Sequence, residues 1–480
     1  MLTRRDLLHV SPALAGGTLL VPALSGCDAV RSLLPHDPRP PEAPTPDLRS
    51  DLDLLAPGPT ADAIGVSLPF TVGMLGGCAG ILPDHDGGDG GRDDGGDGGR
   101  DAPGTGPLQD NLVCSPLSAL LALTMAGLGA GGTTRRQMQK VLGGEMEDLA
   151  AFANTMRSAL EGVGEQQREQ TGKDAPEPDV ASLADALWIQ KDLEVQQDFL
   201  DDLAQYFAAG MFSADLKDTQ AREDARGDMN VYAKEHTDGL IEELVPQGAL
   251  GKDSRLVLID ALHLKGAWIE PLDDRGTKTF TGASGETGDV PMVGTRTHGL
   301  YEDDHCQATQ LTTAGHDLAL VLVRPRHDLH AVLESWQEDD GAVLGDLLDA
   351  VLDEDSEERA LTVDLSLPAF DLSSDLDLAT VLRELGMTTA LSQDADLTGI
   401  TTQERLRITD VLQKAVITVD DQGMEAAAAS AVIAGTTSGD AEPPTPLVFD
   451  VPFLFLACES STRAPLVVGW VAEPSDADGD

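Results

Sequence analysis

Gly423-Met424-Glu425-Ala426-Ala427-Ala428-Ala429-Ser430 is the stretch on which the reading of this sequence turns. It lies in a long segment between a strand signal, Val416-Ile417-Thr418-Val419, and an apolar run that starts near Leu447. A structureless connection of that length inside a compact domain points to function or disorder. Four consecutive alanines favour helix. Their side chains are also small enough to slide between two existing strands. Proline, which would remove a ladder donor, is absent from Gly423 to Asp440 and first occurs at Pro443 and Pro444.

Outward from this segment, helix and strand signals alternate without an internal repeat. Ser115 to Gly127 opens Ser-Pro and runs apolar, which predicts a buried helix with Pro116 in its first turn. Leu256 to Leu264 is nearly continuous apolar sequence, a strand covered on both faces. Leu361 to Leu367 alternates at period two, a half-buried strand. Leu376 to Leu385 has helical spacing and meets a C-cap at Gly386. Leu447 to Leu456 and Leu466 to Val471 close the chain as strands, with Pro452 at a bulge or an edge. The sum is an α+β fold with large sheets.

Further stretches stand in order with the alanine-rich segment. They are Asn111-Leu112-Val113-Cys114-Ser115-Pro116-Leu117-Ser118, Gly129-Ala130-Gly131-Gly132-Thr133, Ala184-Asp185-Ala186-Leu187-Trp188-Ile189-Gln190 and Thr237-Asp238-Gly239-Leu240-Ile241. Leu258-Ile259-Asp260-Ala261-Leu262-His263-Leu264-Lys265-Gly266-Ala267-Trp268, Val290-Pro291-Met292 and Leu367-Pro368-Ala369-Phe370 follow. Ala395-Asp396-Leu397-Thr398-Gly399-Ile400, Pro452-Phe453-Leu454-Phe455 and Gly469-Trp470-Val471 complete them. Collinear from about residue 65 to 473, they resemble the serpin family of serine protease inhibitors. The resemblance implies a large five-stranded mixed sheet that accepts the reactive loop as a sixth strand. Two smaller sheets and eight or nine helices are expected beside it.

On that resemblance Gly423 to Ser430 is the hinge of a reactive-centre loop, residues 421–446. The chain would be a suicide substrate that traps an acyl-enzyme by inserting its cleaved loop. It would not be an enzyme. In the family's register Ala426, Ala428, Ser430, Val432 and Ala434 point inward on insertion, and Glu425 faces water. The usual spacing puts the scissile bond at Thr437-Ser438; counting back from Pro452 gives Ala441-Glu442. Residues before Asp440 at these positions are small and uncharged, which suits a serine protease with a small pocket, elastase-like or subtilisin-like. Met424 occupies the first inserting position, where a longer side chain should slow insertion. Ser115, Ser118, Asp260 and Gln413 take the places of the shutter residues, with Asp260 for the usual Asn and Gln413 for the usual His. Trp268 marks the breach. The alternative is a non-inhibitory serpin, a binding or substrate-like protein on the same fold.

The residues offer no competing chemistry. There is no nucleophile elbow and no His-Glu-x-x-His pair. The ten histidines form no ligand cluster in the sequence, so neither metal nor cofactor is expected. With 83 acidic against 32 basic residues the formal net charge is -51. Such a surface repels nucleic acid and anionic membranes, and no heparin-type activator is expected. Only nine basic residues are Lys, a balance resembling proteins that work in concentrated salt. A monomer is expected.

The N-terminus reads as an address. Arg4 and Arg5 precede an apolar stretch from Leu14 to Leu24, and Leu24-Ser25-Gly26-Cys27 follows. This resembles a twin-arginine signal with a lipobox in residues 1–27, Cys27 being the lipidated residue. The expected product is an exported lipoprotein on the outer face of the cell membrane, or a secreted one. Residues 28–60, rich in Pro and Asp, read as an extended tether. The folded domain is expected over 61–473, with an acidic Gly/Asp-rich insertion at 84–103 and an acidic tail at 474–480. The insertion lacks the Glu of an EF-hand loop. Cys78, Cys114, Cys306 and Cys458 read as buried free thiols.

Overall fold

A computed structural model describes residues 43–60, 63–81, 108–169, 177–183, 185–409, 411–424 and 443–474. Strands and helices are numbered in chain order. The largest sheet holds β2 (Val180–Leu183), β3 (Ala186–Gln190), β4 (Met211–Ala214), β5 (Leu256–Asp260), β6 (Leu262–Ala267), β14 (Phe370–Asp377), β15 (Val411–Val419) and β16 (Gly423–Met424). A second holds β1 (Leu112–Cys114), β10 (Tyr301–Glu302), β11 (Cys306–Thr312), β12 (Leu318–Pro325), β18 (Phe453–Glu459) and β19 (Pro465–Val471). The third holds β7 (Asp273–Thr281), β8 (Thr287–Gly294), β9 (Arg296–His298), β13 (Thr362–Pro368) and β17 (Thr445–Val448).

The helices are α1 (Ala63–Ala79), α2 (Pro116–Leu128), α3 (Gly132–Leu142), α4 (Met146–Gly162), α5 (Glu165–Arg168), α6 (Gln197–Phe207), α7 (Thr219–His236), α8 (Leu329–Gln337), α9 (Ala342–Leu352) and α10 (Leu378–Glu384). All but α5 exceed one turn.

Helix α2 is the internal strut. Ser115 caps it, its hydroxyl accepting from the Ser118 N–H at 3.3 Å, and Pro116 supplies the preset φ of the first turn. Every residue from Pro116 to Gly127 is buried. A helix without a polar face can only be stable inside the core. Strands β5, β18 and β19 are buried throughout, as runs covered on both faces must be. Strand β15 alternates: Val411, Gln413, Ala415, Ile417 and Val419 are buried.

The Leu256–Leu264 run is two strands, β5 and β6, broken at Ala261, and β2 and β3 break opposite it. Counted as continuous strands, the largest sheet has five positions, filled by β4, β2/β3, β5/β6, β15 and β14, plus the two-residue start of a sixth. The Leu447–Leu456 run also divides. Its halves fall in different sheets, β17 pairing with β13 and β18 with β12 and β19. Pro452 lies in the connection.

Residues 43–60, within the predicted tether, are extended but tied down. Leu48 and Met211 exchange backbone hydrogen bonds of 3.0 and 2.7 Å at the outer edge of β4. Asp47 Oδ1 accepts from the Ser213 N–H at 2.7 Å. Leu55 N–H donates to Gln205 O at 2.8 Å, and Asn154 Nδ2 donates to Leu55 O at 2.8 Å. The segment covers the edge of β4, which would otherwise present unpaired backbone groups.

Leu48→Pro removes the N–H that bonds Met211. The expected result is trypsin cleavage after the exposed Arg49 several-fold faster, with unchanged circular dichroism. An unchanged cleavage rate would show that these bonds do not hold the segment.

Candidate functional site

Among the described residues, the largest sheet is incomplete at its centre. Strands β5 and β15 run parallel and pair only at one end: Val411 with Leu258, Leu412 with Ile259, and Gln413 with Asp260. At the other end β16 sits between β6 and β15, with Gly423 opposite Ala267 and Met424 opposite both Gly266 and Val419. Among the described residues, no strand pairs with β15 on that side between these two closures. A narrow cavity of about 10 Å3 remains there, lined by Leu240, Leu264, Val416, Ile417, Thr418 and Val467. Its lining is mostly apolar, with room for one water at most.

Four side chains lock the closed end. Gln413 Nε2 donates to Asp260 Oδ2 at 3.1 Å and to Ser115 O at 2.7 Å, while its Oε1 accepts from the Ser115 N–H at 3.0 Å. Ser118 Oγ donates to Asp260 Oδ1. Ser115 Oγ donates to Leu466 O at 2.7 Å. One network thus joins β5, β15, α2 and β19. An amide can donate and accept together, which lets Gln413 serve a carboxylate and a backbone at once. The four sequence-predicted shutter residues are all buried here.

Sequence reasoning missed a fifth. One step beyond the Ala186–Ile259 pair, Asp185 comes opposite Asp260. Both are buried, and among the described residues neither carboxylate oxygen of Asp185 has a hydrogen-bond partner. Burial pushes the Asp185 carboxyl up to about 7, against the pull of Arg157. Burial, then the neighbouring Asp185, drive Asp260 well above its ordinary value, against the bond from Gln413. Two opposed carboxyls in a buried site resist double ionisation. A lone Asp at the head of the apolar stretch Ala186-Leu187-Trp188-Ile189 was the available signal; its partner follows only from register.

At the open end, Trp268 Nε1 donates to Asp420 O at 2.9 Å and its N–H donates to Gln422 O at 2.9 Å. The residue expected at the breach thus holds the backbone just before the hinge. Gly423 must be glycine, since a Cβ would come 2.3 Å from Gly266 O. Met424 is buried. Asp179 packs over Gly266, where a Cβ would stand 3.1 Å from Asp179 Oδ1. Burial raises that carboxyl to about 6, against the bond from Thr313. His263 in β6 is buried. Of the predicted hinge, Glu425 to Ser430 lie outside the described residues, as do Thr437, Ser438, the Ala441-Glu442 alternative and Cys27.

A family model described as serpin (serine protease inhibitor) matches residues 106–474. The chain belongs to the serpin family. Plasminogen activator inhibitor 1 of Bos taurus is 29% identical over 379 residues, covering 76% of this chain and 87% of that protein. A serine protease inhibitor of Cyanea capillata is 28% identical over 374 residues, 76% of this chain and 93% of that one. Among solved structures, the thermophilic serpin tengpin in its native state superposes with a TM-score of 0.69 at 21% identity, over 90% of this chain and all of that one. Human thyroxine-binding globulin gives 0.65 at 21% identity, over 87% and 100%. The structural matches show a shared serpin fold. The two curated relatives named here are inhibitors by name, not enzymes.

The buried carboxyl pair gives this serpin a pH signature. Both groups sit above their unfolded value near 4, so the native state retains protons that the unfolded chain releases. Their contribution is complete below about pH 4 and declines as pH rises, Asp185 levelling off near 7 and Asp260 higher. Thermal midpoints should therefore fall between pH 5 and 8, and Asp260→Asn should flatten that slope. The self-repulsion of an acidic chain acts on both proteins, so the difference isolates the pair. Equal slopes would contradict this account.

Proposed function

We propose that this serpin is a single-use inhibitor of serine endopeptidases. The protease serine attacks the carbonyl of Thr437, an acyl-enzyme forms, and the amine of Ser438 leaves with the C-terminal fragment. The freed hinge then enters the gap between β6 and β15 as a new strand, parting β15 from β5 as it advances. The tethered protease is dragged along and its catalytic geometry is distorted, so deacylation stalls. This is loop insertion used as a stored-strain switch.

The observation that carries this reading is the seating of Gly423 and Met424 between β6 and β15, at the mouth of a position that no described strand fills. The residues that would enter next alternate small, uncharged side chains at Ala426, Ala428 and Ser430. Backbone groups along both sides would gain partners, each worth about 1 kcal/mol net. Met424 is already buried, so on this account insertion begins beyond it and its size slows nothing further. The target is a protease with a small specificity pocket, elastase-like or subtilisin-like. A non-inhibitory, substrate-like or binding serpin is the second reading, favoured by the fold shared with thyroxine-binding globulin.

Mixing the protein with elastase-like and subtilisin-like proteases tests the choice. The expected product is a denaturant-resistant complex plus a released fragment beginning at Ser438. A fragment beginning at Glu442 would move the bond to Ala441-Glu442. Clean cleavage without a complex would favour the second reading.

We further propose that the chain is exported and held at the outer face of the cell membrane by lipid on Cys27. Two acyl chains suffice for firm attachment. Cys27→Ala should shift the protein from the membrane fraction to the medium. Unchanged membrane association would remove the lipid anchor from the account.

A further inference from the structure

Beside Trp268, where β9 of the third sheet meets β11 of the second, lies a cavity of about 300 Å3 that loop insertion does not use. Part of its lining is apolar: Trp268, Ile269 and Leu311. Ile269 is fixed to the second sheet, its N–H donating to Thr312 O at 3.2 Å. The rest carries Arg296 and His298 of β9, which alternation puts on one face, and Arg359, just before β13. This polar part is held in place. Arg359 Nη1 donates to His298 O at 2.8 Å, and the buried Gln310 donates to the same oxygen at 3.2 Å. Thr297 Oγ1 donates to Gln310 O at 2.6 Å.

The charges there are unbalanced. Although acidic residues far outnumber basic ones in this chain, among the described residues neither Arg296 nor Arg359 forms an ion pair. Asp364 stands opposite Arg296 in the ladder, but its carboxylate pairs with Arg275 at 3.1 Å. Glu270, the carboxylate of the lining, is exposed to solvent. Arg359 is half-buried, and burial holds it below its ordinary value against the pull of Glu354. A guanidinium partly withdrawn from water stays unfavourable until an anion meets it. Its planar fork matches a carboxylate or a phosphate with two parallel hydrogen bonds.

We propose that this cavity binds a small organic anion, its carboxylate or phosphate held by Arg296 and Arg359 and its apolar body packed against Trp268, Ile269 and Leu311. The volume lies at the lower end of the range for small-molecule sites, roughly 300–1,000 Å3, so the body is about the size of one ring. Trp268 also holds the backbone before the hinge, through Asp420 O and Gln422 O. An occupied cavity therefore touches the residue that anchors the start of the hinge. The binding itself does not depend on whether the chain inhibits a protease.

The test is isothermal titration calorimetry of the full chain with phenyl phosphate and with benzoate, at fixed ionic strength. At least one of the two should bind at one site per chain. The matching ion without the ring, inorganic phosphate or acetate, should bind at least about tenfold more weakly, and phenol should not bind measurably. Arg296→Ala and Arg359→Gln should each weaken binding about tenfold or more, as loss of a charge-assisted bond implies. Arg407→Ala, in a different cavity, should bind as the wild type does. Arg296 is exposed, so its variant carries the test if Arg359→Gln fails to fold. Absence of saturable binding by both probes, equal affinity for the ringless ion, or unchanged binding in Arg296→Ala would overturn the proposal.

Discussion

The hydrogen bond from Gln413 to Asp260, with the short parallel pairing beside it, is the contact on which the rest of the structure depends. It closes one end of a sheet in whose middle no described strand pairs with β15 between the two closures. If β15 paired with β5 and β6 along its whole length, no strand could enter. If it did not pair at all, the sheet would fall into two parts. Three residue pairs at one end and a two-residue strand at the other hold it between those states. Buried helix α2 supplies the fixed reference, because Ser115 and Ser118 present one N–H, one C=O and one hydroxyl donor to that contact.

Much of this was legible in the sequence, and the exceptions have physical causes. Helix α2 follows from Ser115-Pro116 and an unbroken apolar run. Strand β13 follows from alternation and α10 from its glycine stop, Gly386 having φ +106°. The break at Ala261 was invisible because both halves of the run are covered on both faces and carry no periodic mark. The division at Pro452 reads as a bulge or an edge because sequence does not say which sheet a strand joins. Residues 43–60 read as tether because their composition is polar and Pro-rich. What binds them is the backbone of Leu48 and Leu55 and the carboxylate of Asp47, which composition cannot reveal. Among the candidate residues, family resemblance selected Ser115, Ser118, Asp260, Gln413 and Trp268, and the structure brings the first four into one network. Asp185 was missed because its role is set by register across β3 and β5.

Charge connects these features. The surface carries a large acidic excess, yet the interior also places carboxyls beside the two closures of the sheet. Outside, like charges repel but are solvated and screened. Inside, Asp185 and Asp260 face each other while buried, and Asp179 is buried over Gly266. A buried carboxyl with few partners holds its proton while the structure is closed and releases it when water enters. Closure of the sheet and proton retention are therefore linked.

The central claim is that the place no described strand fills is the destination of residues 425 onward. It is tested most directly by cutting the loop near Ser438 with a protease that leaves no covalent complex, then measuring thermal unfolding of the nicked protein against the intact one. If the loop enters the sheet, new backbone pairs form along both β6 and β15, and the midpoint rises by about 10 °C or more. Ala428→Arg, which puts a charge on the inward face, should remove that gain. An unchanged or lower midpoint in the nicked wild-type protein would contradict the account.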